Sequence, residues 1–297
     1  MPKAPPNRLT IFERAKRPPS MRFTPRDGRI LEAIHAFDGI LADYQIQRLF
    51  FTGRTQMQLR TRLLYQHGYL ARPDRRKRAA LPTMTYWLAE RGASYLASLR
   101  GQTASEFAYR KQPRWSLIPH DLAINGFRIA VLEACQQHSA LELAEWTPSS
   151  EFWAYPDTVE YIKANGKKGL RKVRPDGYFI ILVDGQPRRF LLELDRATED
   201  NPRFAREKVL PGIAYLKSEV YARRFGHASG RWLVVTTGER RMRNMRAQTR
   251  LAARRDANLF YFTTFQAVTS STVLTSPIWH PGGDTAPVAL LRFETRS

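Results

Sequence analysis

The amino-acid sequence predicts an α/β protein of two domains, the first helical with a short two-stranded element, the second built on a mixed sheet. Three observations predict it. The 297 residues, 43% of them hydrophobic, suffice for about two cores. Apolar residues recur at helical spacing through the first hundred positions and then give way to strand-like runs bounded by turn residues. Between the two patterns, residues 101–115 (GQTASEFAYRKQPRW) lack steady periodicity and read as a linker. The expected organisation is a basic disordered tail over 1–22, a first domain over 23–100, the linker, a second domain over 116–268 and a C-terminal extension over 269–297.

Charge narrows the partner. Lysine and arginine number 48 against 27 acidic residues, a net charge of +21, which points to a polyanion. Residues 1–111 hold 21 of the cations and 8 of the acids, so the front third is the more basic part. Clustered cations release counterions jointly, which favours phosphate contacts over a diffuse solubility charge. The single cysteine, Cys135, excludes a disulfide framework or a thiolate zinc site within the chain and suits a reducing cytoplasm, the expected location. The first twenty residues are basic but broken by five prolines, unlike a signal peptide, and no run approaches the ~18 apolar residues that span a bilayer, so no membrane role is expected.

In the front domain, a first helix is expected near Arg26–Ala36, capped by Thr24-Pro25, with Ile30, Leu31 and Ile34 inward. Gly39 ends it. A second helix starts near Ala42 and groups Ile46, Leu49 and Phe50, and Thr52-Gly53 closes it. A third, Thr55–His67, directs Leu59, Leu63 and Leu64 to the core and leaves Arg54, Gln58, Thr61, Arg62 and Tyr65 outward. Strand-like Tyr69–Arg72 and Thr83–Leu88 flank a basic turn that includes Arg75, Arg76, Lys77 and Arg78. Glu90–Leu99 forms a fourth helix with Leu96 and Leu99 inward. Three helices followed by a strand pair describe a winged helix. In that arrangement the third helix enters the major groove of double-stranded DNA and the cations of the wing meet flanking phosphates.

The second domain opens with a nearly all-apolar helix carrying Leu122, Ile124, Phe127, Ile129, Val131, Leu132 and Cys135, with Pro119-His120-Asp121 at its cap and a strand over Leu141–Trp146 after it. The most informative stretch is RKVRPDGYFIILVDGQPRRFLLELDR, residues 171–196. Tyr178–Val183 and Arg189–Leu194 are strands joined by the turn residues Asp184-Gly185-Gln186-Pro187. A loop centred between Gly185 and Gln186 sets Asp176 opposite Asp195 and Tyr178 opposite Glu193. Because side chains alternate, that register puts Asp176, Glu193 and Asp195 on one face at one end of the hairpin. Three converging carboxylates repel one another unless a cation neutralises them, and oxygen-only ligands suit Mg²⁺ or Mn²⁺. The alternative is that Asp176-Gly177 is a turn and Glu193–Arg196 a strand end with a local ion pair. Beyond the hairpin, Pro202–Arg224 is helical with a break at Pro211, and Lys208 lies near its start. Arg231–Thr236 is a strand buried on both faces, Glu239–Arg255 a strongly basic helix, and Leu259–Phe262 a last strand. Residues 270–297 either pack back on the core or pair with a second copy.

Other chemistries lack their residues. The six histidines include no His-x-His pair and no HExxH, and no glycine-rich phosphate loop occurs. Cys135, on an apolar helix, reads as a core thiol, and His120 as a cap or core residue.

The winged-helix front, His120-Asp121-Leu122-Ala123-Ile124-Asn125, Pro175-Asp176-Gly177, and Leu192 to Glu199 followed by Lys208 and Tyr215 resemble the replication-relaxation family of plasmids, phages and integrative elements. The back half of that family is similar in turn to the PD-(D/E)XK restriction-endonuclease-like fold. The resemblance implies a mixed-sheet nuclease domain with Asp176 and Glu193 as metal-binding acids, Glu133 as a weaker candidate, and replication or transfer proteins of the same element as partners. One departure matters. The position that holds lysine in the motif is Asp195, so the cation would have to come from Lys208 or Lys172, and if neither reaches, the domain is a catalytically silent DNA clamp. Three functions compete: a metal-dependent endonuclease guided by the winged helix, a catalytically silent DNA-binding regulator or replication accessory, and a general polyanion or ribosome binder.

Overall fold

The computed structural model describes residues 12–103, 113–196, 201–283 and 286–292. The chain divides into two compact units, Met1–Gly126 and Phe127–Ser297. Residues 1–11 of the expected tail and most of the expected linker lie outside the described residues.

The first unit begins with α1, Pro25–Ala36. Thr24 caps it, Pro25 pre-sets the first turn, and the Asp27 carboxylate accepts from the Thr24 backbone N–H at 2.7 Å and its hydroxyl at 2.8 Å. Ile30, Leu31 and Ile34 are fully buried, as their spacing predicts. The two-residue strand β1 (Leu41–Ala42) leads into α2 (Asp43–Phe50) and, after Gly53, into α3 (Arg54–Gln66). Next come β2 (Leu70–Ala71), α4 (Arg75–Ala79), β3 (Thr85–Leu88) and α5 (Glu90–Leu99). The strands form an antiparallel sheet in the order β1-β3-β2, one strand more than the sequence suggests.

Four expectations are corrected here. The basic turn is helical, because Asp74 caps α4 by accepting from the Lys77 backbone N–H at 2.7 Å. On α3 the inward stripe is Met57, Thr61 and Leu64, so Leu59 is 57% exposed while Thr61 and Tyr65 are buried. On α5 Leu96 is inward but Leu99 is exposed. Residues 12–19, expected in a disordered tail, lie along the end of α3. The buried polar ends of Tyr65 and Gln66 need partners: the Tyr65 hydroxyl donates to Phe12 O at 2.8 Å, Gln66 Nε2 donates to Glu13 O, and Arg14 Nε donates to Tyr65 O.

Helix α6 (Ile118–Gln136) spans the division between the units. Its buried Asn125 donates to the carbonyls of Phe37 and Ile40, closing the loop after α1. The second unit continues with β4 (Leu141–Pro148), α7 (Ser149–Ala154), β5 (Asp157–Ile162), β6 (Lys168–Val173), β7 (Gly177–Val183) and β8 (Gln186–Leu194). After it come α8 (Asn201–Phe204), a π-helical turn over Ala205–Val209, α9 (Leu210–Leu216) and α10 (Glu219–Phe225). The chain ends with β9 (Arg231–Thr236), α11 (Glu239–Ala253), β10 (Phe260–Thr264) and β11 (His280–Pro281).

Six strands form a mixed sheet in the order β11-β10-β9-β8-β7-β4, with β8, β9 and β10 parallel. One face, with Tyr178, Leu191, Trp232, Val234, Phe260 and Phe262, packs in one core with Val209, Tyr215, Met242 and Met245 of the helical segments. The opposite face presents Phe179 and Phe190, against which Phe127 of α6, Trp146 and Trp279 pack through ring contacts. The C-terminal segment therefore packs back: Trp279 is fully buried and β11 pairs with β10. The hairpin β5–β6 and helix α7 were not foreseen.

Candidate functional site

The site rests on the turn between β7 and β8. Asp184 and Gly185 have φ of 48° and 76°, and Val183 pairs with Gln186, so the loop is the two-residue type that needs positive φ at both centres. Asp-Gly meets that need better than a turn centred one residue on. The register is thus shifted by two from the one expected, with Gly177 opposite Leu192 and Tyr178 opposite Leu191. A shift of two preserves the alternation of faces but changes which acids are neighbours.

Past Gly177 the regular ladder gives way. The Asp176 N–H donates to Leu192 O at 2.8 Å, and the Asp176 carboxylate accepts the Leu194 N–H at 2.7 Å. Asp176 is thereby pinned against the segment that carries Glu193. Glu193, two residues beyond the core residue Leu191, meets Lys208: the ammonium lies 2.8 Å from Oε1 and 3.0 Å from Oε2. Both side chains keep some exposure, 12% and 31%. Lys208 belongs to the π-helical turn, in which Leu210 N–H reaches back to Ala205 O. Pro211 has no N–H for the carbonyl four residues earlier, so the sequence interrupts the α-helix where Lys208 must project, and the expected break at Pro211 takes this form.

Asp195 has a different environment. Its carboxylate takes two bonds from Arg241, one of them 2.7 Å from Nη2, and one from the Thr236 hydroxyl, and it is 8% exposed. The convergence expected of three acids is corrected: the structure brings Lys208 to Glu193, ties the Asp176 carboxylate to the Leu194 N–H, and turns Asp195 to Arg241. Among the described residues, no group of three or more His, Cys, Asp and Glu side chains could hold a metal ion. Lys172 is exposed, opposite Thr158 in the β5–β6 hairpin, and Glu133 lies on α6, which packs on the other face of the sheet.

Neighbouring groups escaped the sequence reading. Glu207, beside Lys208, accepts from Arg171 at 2.8 Å and Arg203 at 2.9 Å. Burial raises its pKa, but the two guanidinium groups outweigh burial and hold it low. The Tyr178 hydroxyl meets His227 Nε2 at 2.8 Å. Burial, with Glu145 nearby, pushes Tyr178 up to about 12, and burial together with Arg189 lowers His227 below its usual value. No spacing in the sequence announces this pair, which the fold alone assembles. Cys135 is buried and its thiol is pushed up to about 11, which fits a core residue.

In the first unit the outward surface of α3 carries Arg54, Gln58 and Leu59, with Arg62 partly exposed, while Thr61 bonds inward to Met57 O and the Tyr86 hydroxyl. On α4, Arg75, Arg76 and Lys77 are exposed, and Arg78 donates to Leu81 O.

Residues 31–229, about two thirds of the chain, match the family described as replication-relaxation. The chain belongs to the replication-relaxation family. The match runs from within α1 through α10 and includes Asp176, Glu193, Lys208 and His227. Neither the curated proteins nor the solved structures contain a match to the chain. No helix among the described residues is long and apolar enough to cross a membrane.

Proposed function

We propose that this replication-relaxation protein grips double-stranded DNA with its first unit and cuts or nicks it with its second, in the service of a mobile element. The observation that carries the reading is the Lys208–Glu193 contact. A lysine missing from the usual position two residues after the second acid is replaced by one from the next helix, which keeps an acid–acid–lysine set of the PD-(D/E)XK kind. The first unit supports a winged-helix reading: α3 offers Arg54, Gln58 and Arg62 to a groove, and Arg75, Arg76 and Lys77 of α4 offer charge to flanking phosphates.

The acids fit a divalent cation in reduced form. Mg²⁺ is commonly held by one or two carboxylates, with phosphate and water completing its shell, and Asp176 and Glu193 supply two. Bound there, Mg²⁺ or Mn²⁺ would polarise the phosphodiester and ease deprotonation of water. Glu193 and Asp176 would hold the ion there through their negative charge. Lys208 offsets the negative charge of the scissile phosphate and orients an attacking water by donating to it. The Leu194 N–H fixes the Asp176 carboxylate, so little reorganisation is needed when DNA arrives. Supercoiled plasmid incubated with Mg²⁺ or Mn²⁺ tests this: the wild type relaxes or linearises it, and Asp176→Ala and Glu193→Gln leave it intact. Equal plasmid profiles for all three proteins overturn the nuclease reading.

A second reading is a DNA-binding regulator or replication accessory that leaves DNA intact. Asp195 at the lysine position, sealed by Arg241, favours it. It gives tight, salt-steep DNA binding that is the same with and without metal.

A further inference from the structure

We infer that the hairpin β5–β6 is a second DNA-binding element, an arm that lies along duplex DNA beside the Asp176–Glu193–Lys208 site. The inference rests on the DNA-binding reading above and names a contact surface that reading does not use. Residues 163–172 (KANGKKGLRK) hold five cations and no acid. Lys163, Lys167, Lys168 and Lys172 are exposed, and between them two large apolar side chains face water: Ile162 at 56% exposure and Leu170 at 73%. In the register Ile162 pairs with Lys168 and Glu160 with Leu170, so the two apolar groups are diagonal neighbours on the outer face. A pair of exposed apolar groups framed by lysines suits a surface that is anionic at its rim and apolar within, which describes a nucleic-acid groove with its phosphates, sugars and base edges. A two-stranded ribbon is also of a size the major groove admits.

The arm is built to hold its shape. Gly166, with φ of 79°, donates its N–H to Lys163 O, and Lys163 N–H reaches Lys167 O, which closes a tight three-residue tip. Gly169 stands opposite Tyr161, and a Cβ there would come within 2.5 Å of the Lys163 side chain and 3.1 Å of the Tyr161 ring, so its lack of a side chain lets both pack across the strand. The root is anchored, since Asp157 accepts from the Tyr215 hydroxyl and from Arg224, and Val159 and Val173 are in the core. Two links join the arm to the candidate site. Strand β6 ends three residues before Asp176, and Arg171 bonds to Glu207, the neighbour of Lys208. The root of the arm is therefore tied to the segments that carry both the first acid and the lysine.

The test uses the full chain and a fluorescent 30-base-pair duplex, with anisotropy read across a salt series. Lys163→Ala/Lys167→Ala/Lys172→Ala keeps the Lys168–Glu160 pair. It is expected to weaken binding roughly 10- to 100-fold at physiological salt and to lower the slope of log K against log salt by about 2 to 3, since each phosphate contact adds about 0.9. Ile162→Ala/Leu170→Ala should weaken binding several-fold with the slope unchanged. A matching thermal melt for each variant shows that the fold is intact. Arg54→Ala/Arg62→Ala separates the two claims: if it loses affinity while both arm variants bind as the wild type does, the arm proposal is overturned and the DNA-binding reading stands. If the wild type binds no duplex, both fall. If the lysine variant keeps its DNA affinity but no longer sediments with phosphatidylserine vesicles, the arm serves an anionic membrane and the proposal is likewise overturned.

Discussion

Glu193 and Asp195 stand two residues apart on one strand end, each paired with a cationic side chain, yet their environments differ. Asp195 takes two bonds from the planar Arg241 fork and a third from Thr236, and it is almost wholly buried. Glu193 meets the ammonium of Lys208, and that pair keeps contact with water. A fork presents fixed donors that match a carboxylate, whereas an ammonium is a movable point charge. The first arrangement holds β8 and β9 to the start of α11. The second leaves a carboxylate whose partner can be displaced or shared by a ligand. The same acid-plus-cation vocabulary thus builds a structural lock and a candidate chemical site side by side.

The largest expected effect comes from breaking the lock. Arg241→Ala leaves Asp195 buried without its charge partner and should cost about 3 kcal/mol or more of unfolding free energy, measured by urea denaturation. Arg241→Lys keeps the charge but cannot reproduce the paired bonds, and should recover only part of the loss. A loss below about 1 kcal/mol for Arg241→Ala would put Asp195 in the same class as Glu193 and erase the contrast.

A smaller effect sharpens it from the other unit. Asp27 is fully buried and bonded to Arg60 and Thr24. Burial raises its pKa, but the bonds from Arg60 and Thr24 more than reverse this, and the folded value lies below the ordinary 3.8. A depressed carboxylate stabilises the fold fully above its unfolded pKa, and that contribution disappears as pH falls through the folded value. Asp27→Asn should therefore be less stable than the wild type at neutral pH by about 2 kcal/mol, with the gap closing below pH 3.8. A gap that stays constant down to pH 2 would mean that the Asp27 charge contributes nothing.

How much of this was legible in the sequence depends on what each residue had to specify. Thr24-Pro25 and the spacing of Ile30, Leu31 and Ile34 specify a helix locally, and α1 forms where they place it. The apolar run Arg231–Thr236 is a buried strand with those bounds. Asp-Gly between two strands announced a hairpin, but its register depends on which two residues take positive φ, and a choice one position off moved the pairing by two. The faces survived because the error was even. The fate of Asp195 was not legible, since Arg241 is 46 residues away and only the parallel pairing of β8 with β9 brings it near. Hairpin β5–β6 escaped notice because its outer face mixes lysine, leucine and isoleucine and so lacks the apolar-polar alternation by which a strand is read. On α3, the buried Thr61 hydroxyl satisfies itself on Met57 O and Tyr86, so a polar side chain occupied an inward position that periodicity assigned to the outside.

The smallest change in stability is expected at the open pair, where it is the most informative. Lys208→Met and Glu193→Gln should each shift unfolding free energy by about 1 kcal/mol or less, because a partly exposed ion pair gains little over its hydrated state. Their responses to metal should diverge. Glu193→Gln removes a ligand and should lose any rise in melting temperature that Mn²⁺ gives the wild type. Lys208→Met removes the cation that competes for the same carboxylate, so its Mn²⁺-induced rise should exceed that of the wild type while plasmid cutting falls. Tighter metal binding with weaker cutting separates a lysine that acts on the substrate from one that only props up the fold. If Mn²⁺ leaves all three melting temperatures unchanged, the Glu193–Lys208 pair belongs with Asp195–Arg241 as architecture, and the cutting reading of the second unit falls.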